Sequence, residues 1–366
     1  MDRLHIAFFG ATNSGKSTLV NAICGQEVSL VSAVPGTTTD PVRKLAELPG
    51  LGPCVLIDTA GLDDTGLLGP ERERRTRTVL DETDIAVLLT VPGTPSSFPD
   101  SPSSFTGLSR ESLTAAGIPY VTYTRGESVE SLLQRLAAVA PNREEEHFLT
   151  GSLAKAGDTV LLVMPQDSEA PKGRLILPQV QVIRELLDRG CVPHCCTPAS
   201  LPAALSGLAG LPDLVITDSQ VFKAVNDAIP AACPLTSFSV LLAAAKGDIH
   251  VFVEGARAID KLKPGSRVLI AEACTHVPDA EDIGRVKIPA LLRKRIGAIQ
   301  VDIAAGNDFP EDLSPYGLII HCGACVANAR LVRSRIRKAL LAGIPITNYG
   351  ITVAFLQGIL DRISIP

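Results

Sequence analysis

Tryptophan is absent from this chain, and aromatic residues make up only 4% of it. Single-stranded nucleic acid is usually held on aromatic stacking platforms, so that class of partner is not expected. A positive charge excess is missing too. Lys and Arg number 34 against 39 Asp and Glu, a formal net charge of −5. Nothing drives the chain as a whole toward nucleic acid or an anionic membrane. No apolar run reaches the ~18 residues of a membrane span. Met1-Asp2-Arg3-Leu4-His5 leads straight into a strand-like run with no signal-peptide pattern, so a cytoplasmic location is expected. Nine cysteines in 366 residues suit a reducing compartment better than a disulfide scaffold. With 46% apolar residues the chain can bury large cores in two or three domains.

The first of these domains carries a clear motif. Ile6-Ala7-Phe8-Phe9 reads as a strand, and Thr18 to Ile23 as a helix. Between them stands Gly10-Ala11-Thr12-Asn13-Ser14-Gly15-Lys16-Ser17, a G-x-x-x-x-G-K-S phosphate loop in its required strand–loop–helix context. Backbone N–H groups of Gly10 to Thr18 can wrap phosphate oxygens. Lys16 can reach the β and γ phosphates, and Ser17 can ligate magnesium. The helix N-terminus adds its positive dipole end. The hydroxyl-rich Pro35-Gly36-Thr37-Thr38-Thr39-Asp40 can close over the γ-phosphate. The strand Val55-Leu56-Ile57 ends in Asp58-Thr59-Ala60-Gly61. Asp58 fits the carboxylate behind magnesium, and Gly61 can offer its N–H to the γ-phosphate. These parts resemble the translation-factor class of small GTPases, in the group with Asn in the phosphate loop. That resemblance implies a potassium ion held by Asn13 and magnesium held by Thr38.

An Asn-Lys-x-Asp guanine-reading motif is absent. After the strand Ile85 to Thr90 comes Val91 to Gly107, a Ser/Pro/Gly-rich loop. A helix-like Ser109 to Ala116 and a strand Ile118 to Val121 follow. Thr122-Tyr123-Thr124-Arg125 then resembles the last guanine-binding loop, with the strand of the guanine-reading motif missing. A competing alignment makes Thr124-Arg125-Gly126-Glu127 a degraded guanine-reading motif. The first is preferred, because the helix Glu130 to Ala140 fits the domain's closing helix.

The far end of the chain carries a second constellation. Cys274-Thr275-His276 follows the apolar run Val268 to Ala271, and His321-Cys322-Gly323-Ala324-Cys325 follows Leu318-Ile319-Ile320. A helix-like Ala290 to Ile296 and a strand Ile299 to Ile303 lie between. This alternation predicts a parallel sheet, with both half-sites outside the carboxyl ends of strands, where ligands bind in such folds. Thiolates suit zinc or an iron–sulfur cluster. Three cysteines leave a four-ligand site one short. His276, His321 or Glu281, in the acidic Pro278 to Asp282 turn, could supply the fourth ligand or leave it exchangeable. Buried cysteines serving as small hydrophobes are the plainer reading, and the paired motifs weigh against it.

The middle of the chain is less informative. Pro141 to Gly157 reads as a linker, and an α/β pattern resumes at Val160-Leu161-Leu162-Val163. Gln179 to Leu187 has helical spacing, Asp213 to Thr217 reads as a strand and Phe238 to Ala245 as a helix. Cys191, His194, Cys195 and Cys196 form one local cluster without a distant partner motif and are read as packing. Lys172-Gly173-Arg174 reads as a turn. Without a site of its own, this region is a candidate surface for a homodimer, the commonest assembly. Arg330 to Lys338 reads as a helix with a basic outer face. The expected fold class is α/β: a P-loop GTPase domain over 1–142, a linker over 143–157, a dimerisation domain over 158–248 and a cluster-binding domain over 249–366, the last two with parallel sheets.

Several stretches together resemble the HydF family, the maturation GTPases of FeFe-hydrogenase. They are Thr37-Thr38-Thr39-Asp40-Pro41, Ala170-Pro171-Lys172-Gly173-Arg174-Leu175-Ile176-Leu177-Pro178-Gln179, Ile216-Thr217-Asp218-Ser219-Gln220, Leu235-Thr236-Ser237-Phe238, Glu272-Ala273-Cys274-Thr275-His276 and Ile320-His321-Cys322-Gly323. The resemblance implies a 4Fe-4S cluster on Cys274, Cys322 and Cys325 with an exchangeable fourth position. It also implies a scaffold that carries a diiron precursor to the FeFe-hydrogenase apoprotein and works with the radical-SAM maturases. The alternative from another class is a regulatory GTPase with a structural zinc.

Overall fold

A computed structural model describes residues 3–25, 41–61, 78–93, 108–141, 148–166, 173–273, 282–306 and 308–366. The chain forms two compact units, Met1–Glu145 and Glu146–Pro366. Among the described residues no helix is long and apolar enough to cross a membrane.

The first unit is built on a five-stranded sheet in the order β2-β3-β1-β4-β5. Its strands are β1 (Leu4–Phe9), β2 (Val42–Leu48), β3 (Gly52–Asp58), β4 (Ile85–Thr90) and β5 (Tyr120–Thr124). β2 runs antiparallel to β3, and the other pairings are parallel. Successive strand side chains point to opposite faces, so a strand covered on both sides must be apolar throughout. β1 meets that demand. Ile6 and Phe8 pack toward Leu19 and Val20 of helix Lys16–Cys24 and Leu132 and Leu136 of helix Val129–Val139. Ala7 and Phe9 pack on the opposite face, with Val79, Leu113 and Ile118. The edge strand β2 was not legible as a strand, because its exposed Arg43 and Glu47 and half-buried Lys44 obscure the alternation.

The second unit holds two four-stranded parallel sheets. One comprises β6 (Thr159–Val163), β7 (Val192–Cys196), β8 (Leu214–Thr217) and β9 (Leu235–Ser237), in the order β7-β6-β8-β9. The other comprises β10 (Arg267–Glu272), β11 (Gln300–Ala305), β12 (Leu318–His321) and β13 (Ile346–Asn348), in the order β11-β10-β12-β13. The two orders are the same. The registers match as well: Val160 and Leu162 face Leu214 and Ile216, as Val268 and Ile270 face Leu318 and Ile320. Each last strand runs into a helix through an N-cap side chain. Ser237 Oγ accepts from Val240 N, and Asn348 Oδ1 accepts from Ile351 N. The second unit is thus one α/β design used twice.

The two sheets share a core. Leu161, Val163 and Val215 of one lie in the same apolar cluster as Leu269, Ala271 and Ile319 of the other. Residues 148–157 fold onto this unit: Leu149 and Leu153 pack beside Val182 and Leu186, and Glu185 accepts N–H bonds from Leu149 and Thr150. A tight join is at Gly255 in helix Ile249–Arg257. A Cβ there would lie 1.9 Å from the Ile346 carbonyl oxygen. Gly255→Ala must therefore push the helix off β13. A loss of about 1–3 kcal/mol, the usual range for overpacking, is expected in denaturant titration. An unchanged midpoint would show that the join yields freely.

Candidate functional site

The phosphate loop leaves β1 at the carboxyl edge of the first sheet, beside the end of β3, where Phe8 is paired with Asp58. Asn13 and Gly15 take left-handed backbone angles, φ 61° and 97°. Asn is among the few L-residues that visit this region readily. Gly15 starts helix Lys16–Cys24. Lys16 is buried, and its Nζ donates to the Gly10 and Ala11 carbonyls at 3.0 and 2.8 Å. Ser17 Oγ donates to Asp58 Oδ2 at 2.6 Å. Burial pushes the Asp58 carboxyl above its ordinary range, against the pull of that bond and of the Lys16 and Lys44 charges. Gly61 passes hard against the loop, since a Cβ on it would sit 2.1 Å from Thr12 Oγ1. Thr18 is exposed on the first turn. Ser14 Oγ and Asp58 Oδ1 are buried without a hydrogen-bond partner among the described residues. Each such atom costs about 1–3 kcal/mol, and both fit a site made to take phosphate and a metal. Thr38 lies outside the described residues.

The loop after β5 carries Glu127, the one carboxylate that the competing alignment offers for base reading. Glu127 accepts from Thr124 N at 2.8 Å and from Arg135 Nη2 at 3.0 Å. The Thr124 N–H, more than the Arg135 charge, lowers its pKa below the ordinary range. Its carboxylate is engaged inside its own turn and is a poor stand-in for a base-reading Asp. Helix Val129–Val139 shares a face of the sheet with helix Lys16–Cys24, as the closing helix of the first alignment requires.

The second crevice lies at the carboxyl ends of β10 and β12, which pair with Ala271 opposite His321. Cys322 follows β12 directly. Its Sγ accepts from Ala273 N at 3.1 Å and from Ala324 N at 3.4 Å. Two N–H groups aimed at one sulfur favour the thiolate. Ala324 is held at φ 50°, so the loop from Cys322 to Cys325 turns sharply. A buried lysine braces that turn. Lys246, at the end of helix Phe238–Lys246, donates to the carbonyls of Ala324 (2.9 Å) and Ala327 (2.7 Å). Glu272, at the end of β10, is buried and takes a two-pronged ion pair from Arg285, at 3.2 and 2.7 Å. Cys322 and Cys325 are free thiols. Cys274, His276 and Glu281 lie outside the described residues, though Cys274 is the residue after Ala273 in sequence. Among the described residues no group of three His, Cys, Asp or Glu is set to hold a metal. A three-thiolate site therefore needs Cys274.

His321 has a different role from the ligand role suggested by its position. Its Nδ1–H donates to the Cys322 carbonyl at 2.7 Å, and its Nε2 accepts from Arg335 Nη1 at 3.1 Å. Burial first, then the Arg335 charge, pushes its pKa down to about 3, although the Cys322 carbonyl pulls the other way. Both ring nitrogens are engaged, so ligation would break an internal bond. Arg335 also donates to the Glu272 and Gly306 carbonyls. Of the middle cysteines, Cys195 is exposed on β7 and Cys191 is buried.

The architecture is that of a P-loop GTPase domain joined to two α/β modules, the second with a thiol-lined crevice. Comparison with known families agrees. Residues 5–114 match the 50S ribosome-binding GTPase family, 149–247 the Hydrogen maturase F dimerization domain, and 250–366 the Hydrogen maturase F tetramerization domain. The chain belongs to the hydrogen maturase F family. Among curated proteins it is similar to the tRNA modification GTPase MnmE of Nitrosospira multiformis, 45% identical over 85 residues, 23% of this chain and 19% of that protein. GTPase Der of Caldicellulosiruptor saccharolyticus is 41% identical over 92 residues, 24% of this chain and 21% of that one. MnmE of Acidiphilium cryptum is 32% identical over 181 residues, 44% of this chain and 41% of that one. The chain thus spans a minor part of the length of these relatives.

Lys246 and Arg335 were not singled out by sequence reasoning. Lys246 ends an apolar helix and Arg335 sits in a basic run, so each reads as a solvated end. Lys246→Met keeps the stem and removes the donors. Hydrogen bonds to a charged group are worth ~1.5–3 kcal/mol, so a loss of about that size is expected on unfolding. Amide exchange of Ala324 to Ala327 should quicken. Unchanged exchange there would mean that the lysine does not brace the turn.

Proposed function

We propose that this chain is a scaffold and carrier protein for FeFe-hydrogenase maturation, with a built-in GTPase. The observation that carries the cluster reading is the Cys322 sulfur held by two N–H groups, one of them from Ala273, next to Cys274. The donor chemistry fits an iron–sulfur group: soft thiolates in a crevice with backbone N–H donors. Cys274, Cys322 and Cys325 would hold it, with His276 or Glu281 as candidates for the fourth position. Bound there, a 4Fe-4S cluster supplies one iron not taken by cysteine, where a diiron cargo can be held and released. The partners are then the apo-hydrogenase and the radical-SAM maturases. Cys322→Ala is expected to stay folded and to lose iron and sulfide after anaerobic reconstitution. Colourless wild-type protein with one zinc per chain would instead favour a regulatory GTPase with a structural zinc.

In the first unit, Lys16 would leave the Gly10 and Ala11 carbonyls for the β and γ phosphates of GTP. Ser17 and Thr38 would hold magnesium with Asp58 behind it, and Asn13 would hold potassium. Gly61 would offer its N–H to the γ-phosphate. Base reading is the weak part. A site built to hydrogen-bond a substrate group can discriminate by ~10⁴ or more. Here the carboxylate in the right region, Glu127, is bonded to Thr124 and Arg135. GTP and ATP should therefore compete with similar affinities in calorimetry, with Lys16→Ala as the blank. A GTP preference above a thousandfold, roughly 4 kcal/mol, would show that another group reads guanine.

A homodimer through the middle module completes the reading. β7 is an edge strand, and open edges invite pairing. Leu177, Val180, Leu187 and Val192 beside that edge are 45–50% exposed. Val180→Asp with Val192→Asp should yield monomers in light scattering. A dimer that survives both changes would place the interface elsewhere.

A further inference from the structure

The internal duplication supplies a control for one residue in the cluster crevice. Leu235-Thr236-Ser237-Phe238 in the first copy corresponds to Ile346-Thr347-Asn348-Tyr349 in the second, strand, cap and first helical residue alike. Phe238 packs in the core with Leu162 and Ile216. Tyr349 packs in the equivalent place, against the cluster of Ile270 and Ile320. An aromatic ring is thus all that packing requires at this position. The second copy adds a hydroxyl. By register, the residue two beyond Ile216 is Asp218, and the residue two beyond Ile320 is Cys322. The hydroxyl occurs in the copy that has the cysteine.

That hydroxyl is buried and has no hydrogen-bond partner among the described residues. Buried Tyr O–H groups normally find one, and an unsatisfied donor costs about 1–3 kcal/mol. Its surroundings are built around it. Gly284, in the π-helical turn Ile283–Lys287, makes room: a Cβ there would lie 1.9 Å from the hydroxyl oxygen. Such turns are frequent at functional sites. Burial, then the charges of Cys322, Glu272 and Asp282, push its pKa well above the ordinary value, against the Arg285 charge. The phenol keeps its proton and remains a donor. Glu272 is paired with Arg285, and Asp282 accepts from Arg285 N. Among the described residues the crevice offers no acceptor for this O–H.

We propose that Tyr349 donates its hydroxyl hydrogen bond to sulfur of an iron–sulfur cluster held through Cys322, and thereby raises the reduction potential of that cluster. The inference rests on the cluster reading above. Hydrogen bonds to the sulfurs are one of the main settings of cluster potential. They favour the reduced form, whose sulfurs carry more negative charge.

The test compares full-length wild type with Tyr349→Phe, before and after anaerobic reconstitution with iron and sulfide. Before loading, the variant should melt at or above the wild-type temperature, because it loses only an unsatisfied donor. After loading, both proteins should hold equal iron, and a potentiometric titration read by EPR should separate them. The one-electron equilibrium of the variant should shift about tenfold toward the oxidised form, ~59 mV lower. Equal potentials in the two loaded proteins would overturn the inference and leave the cluster reading standing. So would a lower melting temperature of the unloaded variant, since the hydroxyl would then have a partner within the protein. A wild type that takes up no iron would overturn the cluster reading first, and this inference with it.

Discussion

Carbonyl groups at the carboxyl ends of buried parallel strands, and in the turns that follow them, must be satisfied, and in this chain buried cations do much of that work. A backbone acceptor removed from water without a partner is expensive. Lys16 answers the Gly10 and Ala11 carbonyls after β1. Lys246 answers Ala324 and Ala327 after β12. Arg335 answers Glu272 at the end of β10 and Gly306 just beyond β11. A buried cation is stable only where acceptors surround it, so each also fixes the loop it bonds. The crevices are shaped by this mutual need before any ligand enters.

The two crevices use their cations differently. Lys16 bonds a loop whose own N–H groups can turn to phosphate, so its bonds are exchangeable for those of an anion. Lys246 and Arg335 bond backbone carbonyls, and Arg335 also bonds the His321 ring. These cations have no reason to move when the site fills. One site is arranged to change state, the other to hold still. That contrast suits the proposed pairing of a nucleotide-binding unit with a scaffold.

Most of the fold could be read from the sequence because buried parallel strands write themselves as apolar runs. Val160 to Val163, Val268 to Ala271 and Leu318 to Ile320 are such runs, and all are strands. β2, β7, β9 and β13 were missed for physical reasons, β9 because it has only Leu235, Thr236 and Ser237. β2 and β7 are edges with exposed polar positions, and β13 has only Ile346, Thr347 and Asn348. The duplication was hidden for a related reason. Sheet order and register are set by burial, which Val, Leu and Ile satisfy interchangeably, so the two copies share a pattern with little identity. The phosphate-loop residues and Cys322 were legible, since their chemistry demands particular residue types. The engagement of His321 was not, because it depends on Arg335 fourteen residues away.

At Tyr349 the duplication separates what the ring does from what the hydroxyl adds. Alone, an aromatic at the start of an apolar helix is a core residue, and Phe238 confirms that for the ring. At this one position the difference between the copies is a single oxygen. Selection for stability alone would remove it, since a buried unsatisfied donor weakens the fold. Its presence beside Cys322, in a space opened by Gly284, is therefore informative in a way that a satisfied hydroxyl would not be. Here the unsatisfied oxygen belongs to the copy that carries the cysteine, and the ring without it serves the copy that does not.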